Sequence, residues 1–273
     1  MVKGQENIKI SDWINSLLAR GKNAFSLADV KKEFSSLSDI AIKRSLNRLS
    51  GKGNIVSILK GYYLIISPEY IARGILPPTL FIDGLMKFLQ RPYYVGLLNA
   101  ASFYGAAHQQ PQEFFVFTSL PALLATQRKG IKINYISVKQ IPTKLLEQRK
   151  TEAGYINISS PELTASDLVQ FEKRIGGLNR AATVLNELTE VMRPEQFNEA
   201  FINHIPVKTI QRLGYLLDKV LKQESLANHL FEQTQHANLN FFRTPLKNNA
   251  PHKGFPIDEK WKVVINTEIE IDE

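Results

Sequence analysis

Cysteine is absent from the 273 residues. That excludes disulfides, thiolate metal sites and a cysteine nucleophile. Long apolar runs are absent too. The hydrophobic stretches fall far short of the roughly 20 residues a bilayer span needs, so no membrane partner is expected. The opening MVKGQENIKI has no apolar core of a secretory signal, and a cytoplasmic protein is expected. The chain also has no P-loop, no Rossmann glycine fingerprint, no H-E-x-x-H and no G-x-S-x-G. His229 and His236 stand two helical turns apart, whereas a helical metal pair wants adjacent turns and carboxylate support. His108 is expected to order the turn between Gly105 and Pro111. No catalytic residue, no cofactor and no metal site is therefore expected.

Apolar residues make up 44% of the chain, enough for a folded core, and the length suits two domains. Charge is unevenly spread. Residues 1–75 carry 12 Lys/Arg and 6 Asp/Glu, against 22 and 20 in the remaining 198, so most of the formal +8 is local to the first quarter. Such asymmetry points to a basic face and to nucleic acid as partner. An ordinary solvated lysine-rich surface is the plainer account of the same charges.

The local pattern sharpens this. Ser11 is expected to cap a helix over Asp12–Arg20 that Gly21 ends, with Trp13, Ile14, Leu17 and Leu18 on one face. Ser26 is expected to cap a helix over Leu27–Phe34, with Asp29 in its first turn. Ser38 is expected to cap a third helix reaching Ser50, stopped by Gly51-Lys52-Gly53. On it Ile42, Leu46 and Leu49 face a core, while Lys43, Arg44, Asn47 and Arg48 fall on the other side. Two β runs follow, Ile55–Leu59 and Tyr62–Ile66, joined through Lys60-Gly61. Three short helices with a hairpin behind them read as a winged helix-turn-helix. The DNA-contacting residues are expected to be Ser38, Lys43, Arg44, Asn47, Arg48, Lys60 and Tyr62, which can read base edges or hold phosphates.

Pro68–Pro78 reads as a connector, giving domains 1–75 and 76–273. The second begins with a helix near Phe81–Leu89, and the following 91–119 reads as helix, turn, strand. Strands are expected at Phe114–Phe117, Ile131–Val138 and Gly154–Ile158. The chain then turns helical over Glu162–Phe171, Gly177–Glu190, Glu195–Asn203, Lys208–Lys222 and Leu226–Gln235, and closes on an alternating strand over Lys260–Ile271. The fold class is α+β: an N-terminal winged helix-turn-helix, then a larger mixed α/β domain with a helical second half. Paired aromatics (Tyr93-Tyr94, Phe103-Tyr104, Phe114-Phe115) read as core before they read as base-stacking platforms. Arg212, alone among apolar neighbours, is expected to pair with an acidic residue structurally; the other reading makes it part of a functional surface.

Several strings taken in order resemble the AbiEi antitoxin family. They are Lys60-Gly61-Tyr62-Tyr63, YYVGLLNAASFYGAAHQQPQEFFVFT (93–118), SSPELTASDLV (159–169), GGLNRAATVLNELTE (176–190), QRLGYLLD (211–218) and WKVVIN (261–266). The family supplies the regulator of type IV toxin–antitoxin and abortive-infection (phage-defence) systems. The resemblance implies a winged-helix domain that represses its own operon at inverted repeats in double-stranded promoter DNA. It also implies a C-terminal domain that counters a nucleotidyltransferase-like toxin without a stable complex.

Two other readings stay open. A metal-dependent nuclease would need clustered carboxylates; the dense acidic groups are Asp258-Glu259 and Glu268, Glu270, Asp272 and Glu273, which read more simply as solvated charge. A winged helix used only for protein contacts is the other, since a fold does not fix its use.

Overall fold

A computed structural model describes residues 9–107 and 111–271. His108, expected to order a turn, lies outside the described residues, as do Asp272 and Glu273. The chain divides into two compact units. One comprises 1–93, 112–139 and 148–156; the other comprises 94–111, 140–147 and 157–273. The fold is mixed α+β; among the described residues the strands of three or more residues all lie before residue 160, and helices occur on both sides of it.

The first unit opens with α1 (Ile10–Ala19), β1 (Ala24–Ser26), α2 (Leu27–Glu33), α3 (Asp39–Gly51), β2 (Ile55–Leu59) and β3 (Tyr62–Ile65). Ser11 does not cap α1, which starts two residues earlier than expected, from Lys9 with no side-chain cap. Ser26 does cap α2, in a capping box with Asp29. Ser38 caps α3 by accepting the Ala41 N–H. β1 was not expected; it forms the edge of an antiparallel sheet in the order β1-β3-β2, pairing Ala24 with Leu64 and Ser26 with Tyr62. The β2–β3 turn needs Gly61, whose φ of +81° favours a residue without Cβ. Beneath the helices lies one apolar cluster: Ile14 and Leu17 from α1, Val30 and Phe34 from the α2 side, Ile42, Leu46 and Leu49 from α3, with Phe25, Ile55 and Ile65 from the sheet. Trp13 packs edge-on against Phe25 and Phe34, at 5.5 and 5.9 Å between ring centres.

Short 3₁₀ turns at Pro68–Tyr70 and Pro78–Leu80 lead into α4 (Ile82–Phe88). β4 (Tyr93–Val95) was expected as helix; its three residues are all buried. Next come α5 (Leu97–Phe103), β5 (Phe114–Ser119), β6 (Thr126–Arg128) and β7 (Ile131–Val138). β5 and β7 pair in parallel from Phe114–Ile133 to Ser119–Val138, and β6 pairs antiparallel to β7. β8 (Leu146–Thr151) and β9 (Gly154–Ser159) follow as neighbours. Tyr93, Tyr94, Phe114 and Phe115 are buried, as expected of core aromatics.

In the second unit β9 pairs in parallel with β4 at Ile158–Val95. The helices are α6 (Pro161–Gln170), α7 (Leu178–Leu188), α8 (Glu199–His204), α9 (Val207–Tyr215) and α10 (Glu224–His236). A helix expected over Glu195–Asn203 is instead a 3₁₀ turn at Pro194–Gln196 and then α8, because Asn198 caps a new start. The one expected over Lys208–Lys222 is α9 followed by a π-helical turn at Leu216–Val220. The closing strand over Lys260–Ile271 is corrected. Only β12 (Val263–Val264) forms, between β10 (Thr244–Pro245) and β11 (Ile257–Asp258). Lys262, at φ +53°, breaks the extension while Trp261 turns inward and is fully buried.

α6 packs against α5, α7 and α9, and its residues 161–169 are all buried. Its hydroxyls are satisfied locally: Ser160 caps the helix, Ser159 and Thr164 share a 2.6 Å hydrogen bond, and Ser166 donates to the Leu163 carbonyl, while one oxygen of buried Glu162 accepts the distant Arg193 N–H. Asp167 accepts from the Tyr94 hydroxyl at 3.2 Å. Burial pushes the Asp167 carboxyl well above the usual range, against the smaller lowering effect of the Tyr94 bond.

A pH dependence follows. The unfolded carboxyl ionises near about pH 4, while the folded one keeps its proton to higher pH. Between these points folding takes up a proton, so this site lowers stability as the pH rises. Asp167→Asn, which keeps the shape and an acceptor for Tyr94, should raise the urea midpoint at pH 7.5, with the gain fading toward pH 4. A loss at pH 7.5 would mean that the native carboxylate is charged and needed.

Candidate functional site

Two regions carry the candidate chemistry, one in each unit. In the first unit α3 presents Lys43, Arg44, Asn47 and Arg48, all exposed. The helix's core face, Ile42, Leu46 and Leu49, is fully engaged, so these four are held on the opposite side by packing they take no part in. Among the described residues, Lys43, Arg44 and Arg48 have no ion-pair partner, and neither does exposed Lys60 in the β2–β3 turn. Asp39, in the first turn of α3, is neutralised by Lys31 at 2.7 Å. The outcome is an uncompensated cationic stripe on a rigid helix, with a further lysine on a separate hairpin turn.

Two predicted residues sit differently. The Ser38 hydroxyl is committed to the Ala41 N–H as a helix cap. Tyr62 is only 5% exposed, and its ring packs on Phe88 with 4.9 Å between centres. Burial, helped by Asp83 and Asp29, pushes its phenol well above the ordinary value. Its side chain is part of a core and is not offered to a ligand. Ile40 was missed by the sequence reading. It is 65% exposed in the first turn of α3, on the cationic stripe; the signal available was its phase, opposite Ile42, Leu46 and Leu49.

In the second unit the string QRLGYLLD holds a buried polar network. Arg212 is 2% exposed. Its guanidinium donates to the Leu246 carbonyl at 2.7 Å, the Val169 carbonyl at 3.1 Å and Glu172 at 3.5 Å. Arg212 thus pairs with an acidic neighbour inside the protein and does not mark a surface. Gln211 donates to the carbonyls of Phe242 and Trp261 at 2.7 and 2.8 Å. Gly214 lies under the Trp261 ring so closely that a Cβ there would fall 2.1 Å from a ring carbon. Asp218 accepts from the Trp261 indole and from Lys260, each at 3.0 Å. Burial alone would raise the Asp218 carboxyl, but the bonds from Trp261, Lys260 and Lys219 outweigh it and hold the group below its usual value.

Asp258 accepts the Trp261 backbone N–H, and Glu259 is exposed beside Lys262. Among the described residues no group of three or more His, Asp or Glu side chains is placed to hold a metal ion, so the nuclease reading gains no support. A cavity of about 240 Å³, lined by Pro142, Thr143, Lys144, Asn203 and His204 among others, is smaller than the roughly 300–1,000 Å³ of small-molecule sites. No helix among the described residues is long and apolar enough to cross a membrane.

Comparison with known proteins adds three findings. A family model described as the AbiEi antitoxin C-terminal domain matches residues 94–219. The crystal structure of the RV2827C protein from Mycobacterium tuberculosis superposes with a TM-score of 0.67 at 15% identity, over 93% of this chain and 90% of that one, which is a likeness of fold. No curated protein shows significant similarity to the chain. The network of α9, including Gln211, Arg212, Gly214 and Asp218, lies within the matched span, so residues 94–219 are similar to the C-terminal domain of the AbiEi antitoxin family.

Proposed function

We propose that this protein is the antitoxin and autorepressor of a type IV toxin–antitoxin system. The three N-terminal helices and the β2–β3 hairpin act as a winged helix-turn-helix that binds inverted repeats in the operon's own promoter. α3 enters the major groove, and Lys60 contacts the backbone from the wing. DNA binding belongs to residues 1–75 and antitoxicity to 76–273, where the C-terminal domain opposes a nucleotidyltransferase-like toxin without a stable complex. The observation that carries the DNA-binding half is the unpaired, exposed stripe Lys43, Arg44, Asn47 and Arg48 on a helix whose other face is fully buried. The antitoxin half rests on the family match of 94–219. Tyr62 takes no part in the proposed interface.

Lys43→Ala/Arg44→Ala/Asn47→Ala in the full chain removes exposed atoms only, so the fold should persist. Affinity for the promoter duplex should fall by about 100-fold or more, from roughly 1–3 kcal/mol per base-reading contact. Each lost phosphate contact should also flatten the log–log salt slope by about 0.9. Unchanged binding in a gel-shift titration at two salt concentrations would remove α3 from the interface. The same variant, expressed from an independent promoter beside the toxin, should protect cells as well as the wild type does. Loss of protection would tie antitoxicity to the DNA-binding residues.

A further inference from the structure

Ile40 has no structural reason to be isoleucine. It is 65% exposed, so it contributes little to the core, and a β-branched residue gains nothing in helix propensity over a straight-chain one. Its position is informative. At about 100° per residue, Ile40, Lys43, Arg44 and Asn47 fall within roughly 60° of a single line along α3, while buried Ile42, Leu46 and Leu49 occupy the opposite side. Ile40 therefore lies among the polar and cationic residues proposed to read DNA, in the first turn of the helix. The N-terminal turns of a recognition helix are the part that reaches base edges. An apolar side chain there has one apolar group to meet in the major groove, the C5-methyl of thymine. Leu37, 41% exposed in the turn just before α3, continues the apolar surface on the N-terminal side.

We infer that Ile40 determines operator specificity by packing against a thymine methyl while Lys43, Arg44 and Asn47 supply the polar contacts around it. This rests on the DNA-binding reading above and adds to it a base identity and the residue that selects it. Uracil in place of thymine removes the methyl and leaves base pairing intact, so the contact can be deleted from the DNA side as well as from the protein side.

The test is a fluorescence-anisotropy titration of the full-length protein against its own promoter duplex and against duplexes in which single thymines are replaced by uracil. Wild type and Ile40→Ala are compared. Because Ile40 is exposed, the variant should keep the wild-type circular dichroism and urea midpoint. One thymine in each half-site should show a loss of about threefold to tenfold on replacement, the scale expected for one buried methyl. Ile40→Ala should bind the parent duplex more weakly by a similar factor and be indifferent to uracil at that position. Specific wild-type binding that tolerates uracil everywhere would overturn the inference and leave the DNA-binding reading standing, as would an Ile40→Ala protein still sensitive to the same uracil. A wild-type protein with no preference for its promoter over an unrelated duplex would overturn both.

Discussion

A guanidinium cannot shed its charge near neutral pH, so burying one constrains everything around it. Arg212 is the largest charged side chain in the interior of the second unit, and its partners come from three places in the sequence. Val169 lies at the end of α6, Glu172 in the 3₁₀ turn that follows, and Leu246 just after β10. Each must be in position for the charge to be tolerated. Losing one member leaves an uncompensated buried group, at a cost of about 3–5 kcal/mol when an ion-pair partner is removed. Arg212 thus fixes α9 against the end of α6 and fixes the C-terminal segment against α9. Its neighbours extend the same tie: Gln211 holds Phe242 and Trp261, Gly214 admits the Trp261 ring, and Asp218 receives its indole.

This gives a physical meaning to two strings that carry the family resemblance. QRLGYLLD and WKVVIN are the two sides of one contact, although some forty residues separate Asp218 from Trp261. The matched span ends at residue 219, before the second string begins, yet the first string has no use for a glycine at 214 without the tryptophan at 261. Asn266 completes the closure by bonding both the N–H and the carbonyl of Lys247.

The N-terminal elements were legible because their causes are local. Ser26 with Asp29, Ser38, and the apolar spacing of α3 all act within a few residues. What escaped was set at long range. β1 is three residues that read as a loop until β3 pairs with them. β4 read as helix because all its side chains are apolar or aromatic, and burial on every side leaves no period to follow. The closing strand was inferred from alternation that turned out to be solvated acidic residues, while the tryptophan beside it was drawn to Gly214. At the candidate interface the charged residues were legible as types, but burial was not. Tyr62 followed a hairpin turn like a wing residue and packs on Phe88; Ile40, which no charge singled out, is exposed among the cationic residues.

The two units therefore differ in how function relates to fold. On α3 the residues proposed to act are separate from those that hold the helix, so they can be exchanged without cost to the core. In the second unit the most recognisable residues are the interior ties themselves. Substituting Arg212, Gly214 or Trp261 would disturb any activity of the unit, the proposed antitoxicity included, because the unit would lose its packing. Sensitivity to mutation at these positions is thus no evidence of contact with a toxin or its target. The antitoxic surface proposed for this unit has to be sought among exposed residues of 94–219, where a substitution can remove activity while the urea midpoint stays put.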